Sequence, residues 1–289
     1  MDPRTRIETA LAEALARCEG AGRPRRLAAA MRHAVVPGGA RIRPRLCLAV
    51  AGACGEDHPG VTDAAAAAIE LLHCASLVHD DLPCFDAAEL RRGQPSVHRA
   101  FGERLAVLAG DALIVLAFET LSRQVAAAPE RSAPLLLILA RSVGMPAGLC
   151  AGQAWECEPR VSLEEYHRAK TGALFAAATE AGAIAAGVPA AQWQAVGECL
   201  GAAYQVADDI RDAAATEAEV GKPVGRDAAL GRPSATQQLG LTGAKTRLQE
   251  LVGRAVAAVP ECPGAAELRS HIRTEVRRLL PPRLARSAA

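Results

Sequence analysis

Residues 61–81 read VTDAAAAAIELLHCASLVHDD, with five consecutive alanines and a leucine-rich turn leading into two aspartates. Alanine loses no side-chain entropy in a helix and leucine loses little, so this run predicts a long helix. Thr62 or Asp63 is its expected N-cap. The same bias extends along the chain. Alanine, leucine, arginine and glutamate dominate, aromatic residues make up 3%, and long alternating runs of valine, threonine and aromatics are absent. The expectation is an all-α fold.

Ile7, Leu11 and Leu15 recur every four residues and mark one face of a first helix. Pro37-Gly38-Gly39 breaks the chain before a second helix through Pro44 to about Ala53, and CGEDHPG forms a turn. Pro83 ends or distorts the long helix, because proline removes a backbone hydrogen bond and clashes with the preceding turn. A loop over 84–98 should give way to a helix over about 105–125. Further helices are expected over 134–154, 162–187, 191–216, 236–257 and 264–280, with a polar loop at 217–234 and a mobile tail from about 281. No turn-rich linker or repeat divides these elements. Residues 1–289 therefore read as a single all-helical domain, and the alanines suit the close helix approach of a large bundle.

The 33 basic and 32 acidic side chains leave a net charge of +1, which lacks the surplus that nucleic-acid binding requires. Charged residues interrupt every candidate for a membrane span, and the N-terminus has no apolar signal core. A cytoplasmic protein without nucleic-acid partners or a transmembrane segment is expected. The nine cysteines form no CxxC pair, so they read as mostly reduced and buried rather than zinc-binding.

Two acidic clusters carry the chemistry: His79-Asp80-Asp81-Leu82-Pro83-Cys84-Phe85-Asp86 and Asp208-Asp209-Ile210-Arg211-Asp212. Both end apolar helices, where the helix dipole already disfavours negative charge, so a cation should offset the repulsion. Gln205, Asp208, Asp209 and Asp212 share one broad helical face, with Asp208 and Asp212 one turn apart. Oxygen ligands without histidine favour magnesium, which keeps waters and binds phosphates. Asp86 lies six residues past Asp80, so the irregularity at Pro83 must swing it back.

Cations accompany both clusters. Arg91 and Arg92 precede Gly93; Lys222, Arg226 and Arg232 lie in GKPVGRDAALGRPS; Arg41 and Arg43 follow Gly38-Gly39; and Lys170 precedes Thr171-Gly172. Such forks and point charges suit phosphate oxygens. GxGxxG and GxxxxGK[ST] are both absent, which leaves no support for a dinucleotide fold or a P-loop.

Together, HDDLPCFDAAELRRGQPSVHRAFGE, LAGDALIVLAFE and the second aspartate cluster resemble the trans-isoprenyl diphosphate synthases over about Gly38 to Arg232. The nearest likeness is to the short bacterial geranylgeranyl diphosphate synthases of carotenoid and bacteriochlorophyll pathways. The resemblance implies the isoprenoid synthase fold, a helical bundle around a deep central cavity, usually as a homodimer. It implies that Asp80, Asp81, Asp86, Asp208, Asp209 and Asp212 hold three magnesium ions on an allylic diphosphate. Arg91, Lys170, Gln205 and Lys222, with Arg226 and Arg232 where lysines are common, match the allylic diphosphate contacts. Arg43, His73 and Arg92 match the isopentenyl diphosphate site, and Thr171 a residue near the developing allylic cation. Ala40 stands where the family usually has a lysine for isopentenyl diphosphate, and Arg41 could supply part of the missing charge.

The implied reaction ionises the allylic diphosphate, adds isopentenyl diphosphate head-to-tail and loses a proton to the released diphosphate. Asp80, Asp86, Asp208, Lys170 and Thr171 are its candidate catalytic residues, and His79 reads as structural. Ala75 lies five residues before Asp80, about 7.5 Å along the helix at 1.5 Å per residue. Ala75 and Ser76 are small where farnesyl-making bacterial members resemble one another in carrying an aromatic, which implies a deeper cavity and a C20 product. Leu116, Phe118 and Leu121 are candidates for the floor. Farnesyl or longer polyprenyl synthesis, a class I terpene cyclase and a non-catalytic synthase subunit are the alternatives.

Overall fold

The computed structural model describes residues 1–124, 126–160, 162–214 and 234–279. Among them the backbone is helical apart from turns and one short hairpin. These residues form two compact units. One comprises Met1–Arg141 with Glu180–Pro189, the other Ser142–Thr179 with the described part of Ala190–Ala289.

In the first unit, helix α1 (Pro3–Ala16) opens where the Asp2 carboxylate accepts the Arg4 N–H at 2.9 Å. Ile7, Leu11 and Leu15 are at most 2% exposed, so the four-residue spacing does mark the inward face. The chain then turns at Gly20 and Gly22, whose φ angles of 135° and 78° suit glycine. A helix not anticipated from the sequence, α2 (Arg25–Val35), follows Pro24 and buries Ala30, Met31 and Val35. Leu27, Ala30, Met31, Ala34 and Val35 give it the spacing of one helical face.

Helix α3 (Ile42–Ala53) leads to α4 (Pro59–Asp80), which starts a turn earlier than Thr62 or Asp63 would have set it. Pro59 occupies the first turn, Thr62 is buried, and Asp63 instead accepts Arg6 Nε at 2.7 Å. From Ala64 to Ile69 no side chain is more than 4% exposed. A helix apolar on every side must be surrounded, and α1, α2, α3 and α6 (Glu103–Ser122) pack around α4. Gly110 lets α6 approach closely, since a Cβ there would stand 2.0 Å from His79 Nε2. Each fully buried leucine or isoleucine here contributes about 1.5–3 kcal/mol.

The stretch expected as loop contains a hairpin, β1 (Leu90–Arg91) against β2 (Gln94–Pro95), followed by α5 (Val97–Phe101). Arg92 and Gly93 form its two-residue turn with φ of 53° and 75°. This left-handed pair matches the strand twist. Helix α7 (Pro129–Val143) is shorter than expected, because Gly144–Gly148 separates it from α8.

In the second unit, α8 (Leu149–Ala154) and α9 (Leu163–His167) precede a single π-helical turn, Arg168–Gly172. Helices α10 (Ala173–Ala185), whose residues from Glu180 count with the first unit, α11 (Gln194–Ala214), α12 (Ala235–Ala257) and α13 (Ala265–Leu279) follow. Helix α11 packs on α12, α13 and the π turn. The expected loop at 217–234 and the tail from 281 lie almost wholly outside the described residues.

Helices α4 and α6 are long and apolar enough to cross a membrane by length and composition, with their most apolar windows 83% and 44% buried in the protein. That qualifies the expectation that charge interrupts every such run. All nine cysteines are free, but only Cys47 and Cys74 are buried, while Cys84, Cys150 and Cys157 are exposed. The expectation that most are buried therefore fails, since the exposed three sit in a loop and at helix ends.

Candidate active site

Helix α4 carries the first acidic cluster at its C-terminal end, and the chain does turn back there. Leu82 N–H donates to His79 O at 3.1 Å, Phe85 N–H to Leu82 O at 2.9 Å and Asp86 N–H to Asp80 O at 2.9 Å. Ala87, at φ 47°, completes the reversal. Asp80 and Asp86 are thereby joined through their backbones despite their separation in sequence.

Asp81 has a different place from its neighbours. It is 1% exposed, and Arg91 forks onto it through Nε, 3.1 Å from both carboxylate oxygens, and through Nη2. Burial opposes the charge on Arg91, but Asp81, with Asp80 and Asp86, raises its pKa further. This bidentate pair occupies the Asp81 carboxylate. In this structure the Asp81 carboxylate holds the arginine.

The second cluster repeats the division. Asp209 is 3% exposed and accepts Gln205 Nε2 at 3.0 Å and the Ala235 N–H at 2.8 Å, which ties α11 to the start of α12. Asp208 and Asp212 are half-buried, and Arg211 Nη2 donates to Asp208 Oδ1 at 2.6 Å. In both clusters the second aspartate serves the fold, and the outer two are the better ligand candidates.

Gln205 bridges two other candidates. Its Oε1 accepts the Thr171 hydroxyl at 3.1 Å while its Nε2 bonds Asp209. Thr171 and Lys170 lie on the π turn, an irregularity common at functional sites that composition does not signal. Lys170 Nζ pairs with Glu156, which also accepts Tyr166 Oη at 2.6 Å. Gly152 permits this approach, because a Cβ there would stand 2.4 Å from Lys170 N. Glu156 was missed because only the fold brings it to Lys170; Tyr166 was missed although its place four residues before Lys170 on an expected helix is a readable signal.

The basic group of the first unit surrounds His73. Burial holds this imidazole well below its usual pKa, and the charges of Arg43, Arg92, Arg91 and Arg41 push it further down. A neutral histidine amid arginines is suited to an anion. Arg43 is buried, and Arg92 retains partial exposure. Arg41 is placed differently from the expectation that it supplies charge for the missing lysine. It is 3% exposed, with Nε on Glu8 at 2.9 Å, Nη1 on Glu70 at 2.6 Å and Nη2 on Val35 O at 2.8 Å. All three of its nitrogens are spent inside the protein.

Ala75, Ser76, Leu116 and Leu121 are buried, and Phe118 is half-buried. Ser76 Oγ donates to His73 O at 2.8 Å, so its polarity is absorbed by its own helix. His79 lies 3.7 Å from Asp111 and against α6, in keeping with a structural role. Lys222, Arg226 and Arg232 lie outside the described residues.

The donor set fits magnesium in kind: Asp80 and Asp86, joined through their backbones, and Asp208 and Asp212, one turn apart on α11, all offer hard oxygens. Among the described residues no three acidic, histidine or cysteine side chains converge on a ready-made cage. An ion there must complete its shell with water and phosphate oxygens, which is the usual habit of magnesium.

The polyprenyl synthetase family model matches residues 24–267. The chain is 54% identical to a geranylgeranyl diphosphate synthase of Cereibacter sphaeroides over 97% of each chain. It is 41% identical to a farnesyl diphosphate synthase of Geobacillus stearothermophilus over 84% of each. A geranyltransferase structure from Helicobacter pylori, complexed with magnesium and isoprenyl diphosphate, superposes with TM-score 0.81 and 30% identity, covering 95% of this chain and 96% of that one. Isoprenoid synthases are thus the structural neighbours of this helical fold, and the chain belongs to the polyprenyl synthetase family.

Proposed function

We propose that this chain is a geranylgeranyl diphosphate synthase, which condenses isopentenyl diphosphate head-to-tail with C5, C10 and C15 allylic diphosphates and stops at C20. The observation that carries the reading is the order along α4 and the turn that follows it: His73, within the field of four arginines, then Asp80, with Asp86 bonded back to it. His73 and Asp80 are seven residues apart, two turns along one face, or about 10 Å at 1.5 Å per residue. The helix and its terminal turn thus offer an anion subsite and two candidate metal ligands, as two diphosphate substrates require. The 54% identity to a named geranylgeranyl diphosphate synthase supports the same product.

Asp80, Asp86, Asp208 and Asp212 would hold magnesium, three ions per active site; bound there, it neutralises the allylic diphosphate and makes it a better leaving group. Arg91, kept in place by Asp81, and Lys170 are suited to the same diphosphate, with Lys222, Arg226 and Arg232 proposed from sequence alone. Gln205 orients Thr171. With its O–H donated in a hydrogen bond to Gln205 Oε1, the Thr171 hydroxyl keeps lone pairs free to stabilise positive charge on the allylic carbon. Arg43, Arg92 and neutral His73 receive isopentenyl diphosphate, and the released diphosphate is the proposed base. Small Ala75 and Ser76 leave α4 narrow below the metal ligands, with Leu116, Phe118 and Leu121 as candidates for the floor.

The chain is read as one domain, because a single family model spans 24–267. A cytoplasmic homodimer is proposed, and the apolar surface of α6 supports the dimer: Val107, Leu108 and Val115 are 42%, 51% and 66% exposed. The reading is tested by product analysis with magnesium, isopentenyl diphosphate and each allylic primer in turn. A C20 diphosphate from every accepted primer is expected. A C15 endpoint would move the floor towards Ala75, and a cyclic hydrocarbon would overturn the assignment.

A further inference from the structure

We propose that Glu70 is the positioning residue of the isopentenyl diphosphate subsite: its carboxylate aims Arg92 at the incoming diphosphate and fixes the Gly38–Arg43 loop through Arg41. The proposal rests on the functional reading above and extends it to a residue that does not touch substrate.

Glu70 is 2% exposed and lies three residues before His73, on the same side of α4. Arg41 Nη1 reaches its Oε1 at 2.6 Å, and Arg92 Nη2 stands 3.7 Å from the same oxygen. The two arginines come from different loops, yet share a second property. Arg41 and Arg92 have φ angles of 48° and 53°, the left-handed region that residues with a Cβ seldom adopt. Such backbones persist where their surroundings over-determine them, and here both lead to one buried carboxylate.

The packing around Arg92 points the same way. A Cβ on Gly39 would stand 3.0 Å from Arg92 Cζ, Nε and Nη2, so the guanidinium lies flat against the glycine loop. Glu8 anchors Arg41 from α1 at 2.9 Å and holds the far side of the network. The contact lengths divide the labour. The short one fixes Glu70 on Arg41, while the longer one orients Arg92 and leaves it N–H groups for a ligand. Glu70 itself, being negative, is unsuited to touch a diphosphate. With Ala40 offering no charge, the aim of Arg92 matters more.

The test is steady-state kinetics of Glu70→Gln with each substrate varied separately, alongside thermal melting. Loss of the carboxylate charge should raise KM for isopentenyl diphosphate about tenfold and leave KM for the allylic substrate within about twofold, with kcat retained at saturation. A purely structural Glu70 would instead lower Tm and the active fraction with both KM values unchanged, and that result overturns the proposal. Should the single variant not fold, R41M/E70M removes the fully buried pair together and leaves only the part-exposed Glu8 and Arg92 without it. It should show the same selective rise, and a wild-type KM for isopentenyl diphosphate in it also overturns the proposal. Absence of condensation by the unmodified enzyme would refute the functional reading itself, whereas an unchanged KM in an active variant refutes only the role of Glu70.

Discussion

The Asp86 N–H donates to the carbonyl of Asp80 at 2.9 Å, across the turn that Pro83 introduces after helix α4. That bond joins the backbones of two aspartates that a continuous helix would have spread around its axis. Asp81, between them, is buried under Arg91. Adjacent aspartates therefore have separate duties.

Asp80→Ala and Asp86→Ala should each reduce condensation at least about a hundredfold, with little change in Tm. Asp81→Ala should lower Tm by several degrees as well, because it strands the partly buried Arg91. Activity assays paired with thermal melting check the contrast. Equal melting of all three variants would remove the distinction.

Ala75→Phe should shift the main product from C20 to C15. Ala75 is 1% exposed, so the larger ring also overpacks α4 and costs about 1–3 kcal/mol. Chromatography of the dephosphorylated products, with denaturant unfolding of the same variant, measures both effects. A C20 product from folded Ala75→Phe would place the length control elsewhere.

Acid should destabilise the substrate-free protein through its buried histidines. Burial and the neighbouring arginines depress His73 well below 6.5, and burial lowers His167 to about 4. The unfolded chain takes up these protons near pH 6.5 and the folded chain does not. Stability from these groups is thus present above that pH and lost as pH falls towards the depressed folded values. Melting curves between pH 7 and 5 should show the decline, with a shallower slope in His73→Gln.

Val115→Asp should convert a dimer into a monomer without unfolding it. The side chain is 66% exposed on α6, so charge there changes the stability of the isolated chain by about 0.5 kcal/mol or less. Light scattering coupled to size-exclusion chromatography reads the outcome. A variant of unchanged mass would exclude this face of α6 from the interface.

The helical class, the inward face of α1, the course of α4 and the two acidic clusters were legible in the sequence. Each depends on local chemistry: alanine and leucine propensity, apolar spacing and adjacent like charges. The hairpin was not legible, because a two-residue strand has no period to read, whereas helix α2 carried a signal that was passed over: Leu27, Ala30, Met31, Ala34 and Val35 recur at helical spacing.

What the sequence alone determined was an inventory: which residues have oxygens for a metal, which have charge for phosphate, and which helix ends present them. Tertiary structure decided how that inventory is divided. Asp81 and Asp209 went to Arg91 and the start of α12, Arg41 turned inward onto Glu8 and Glu70, and Glu156 was brought to Lys170. The physical reason is that burial makes an unpaired charge costly. Each enclosed carboxylate or guanidinium must find its partner from whatever the packing brings near, and spacing along the chain does not encode that choice.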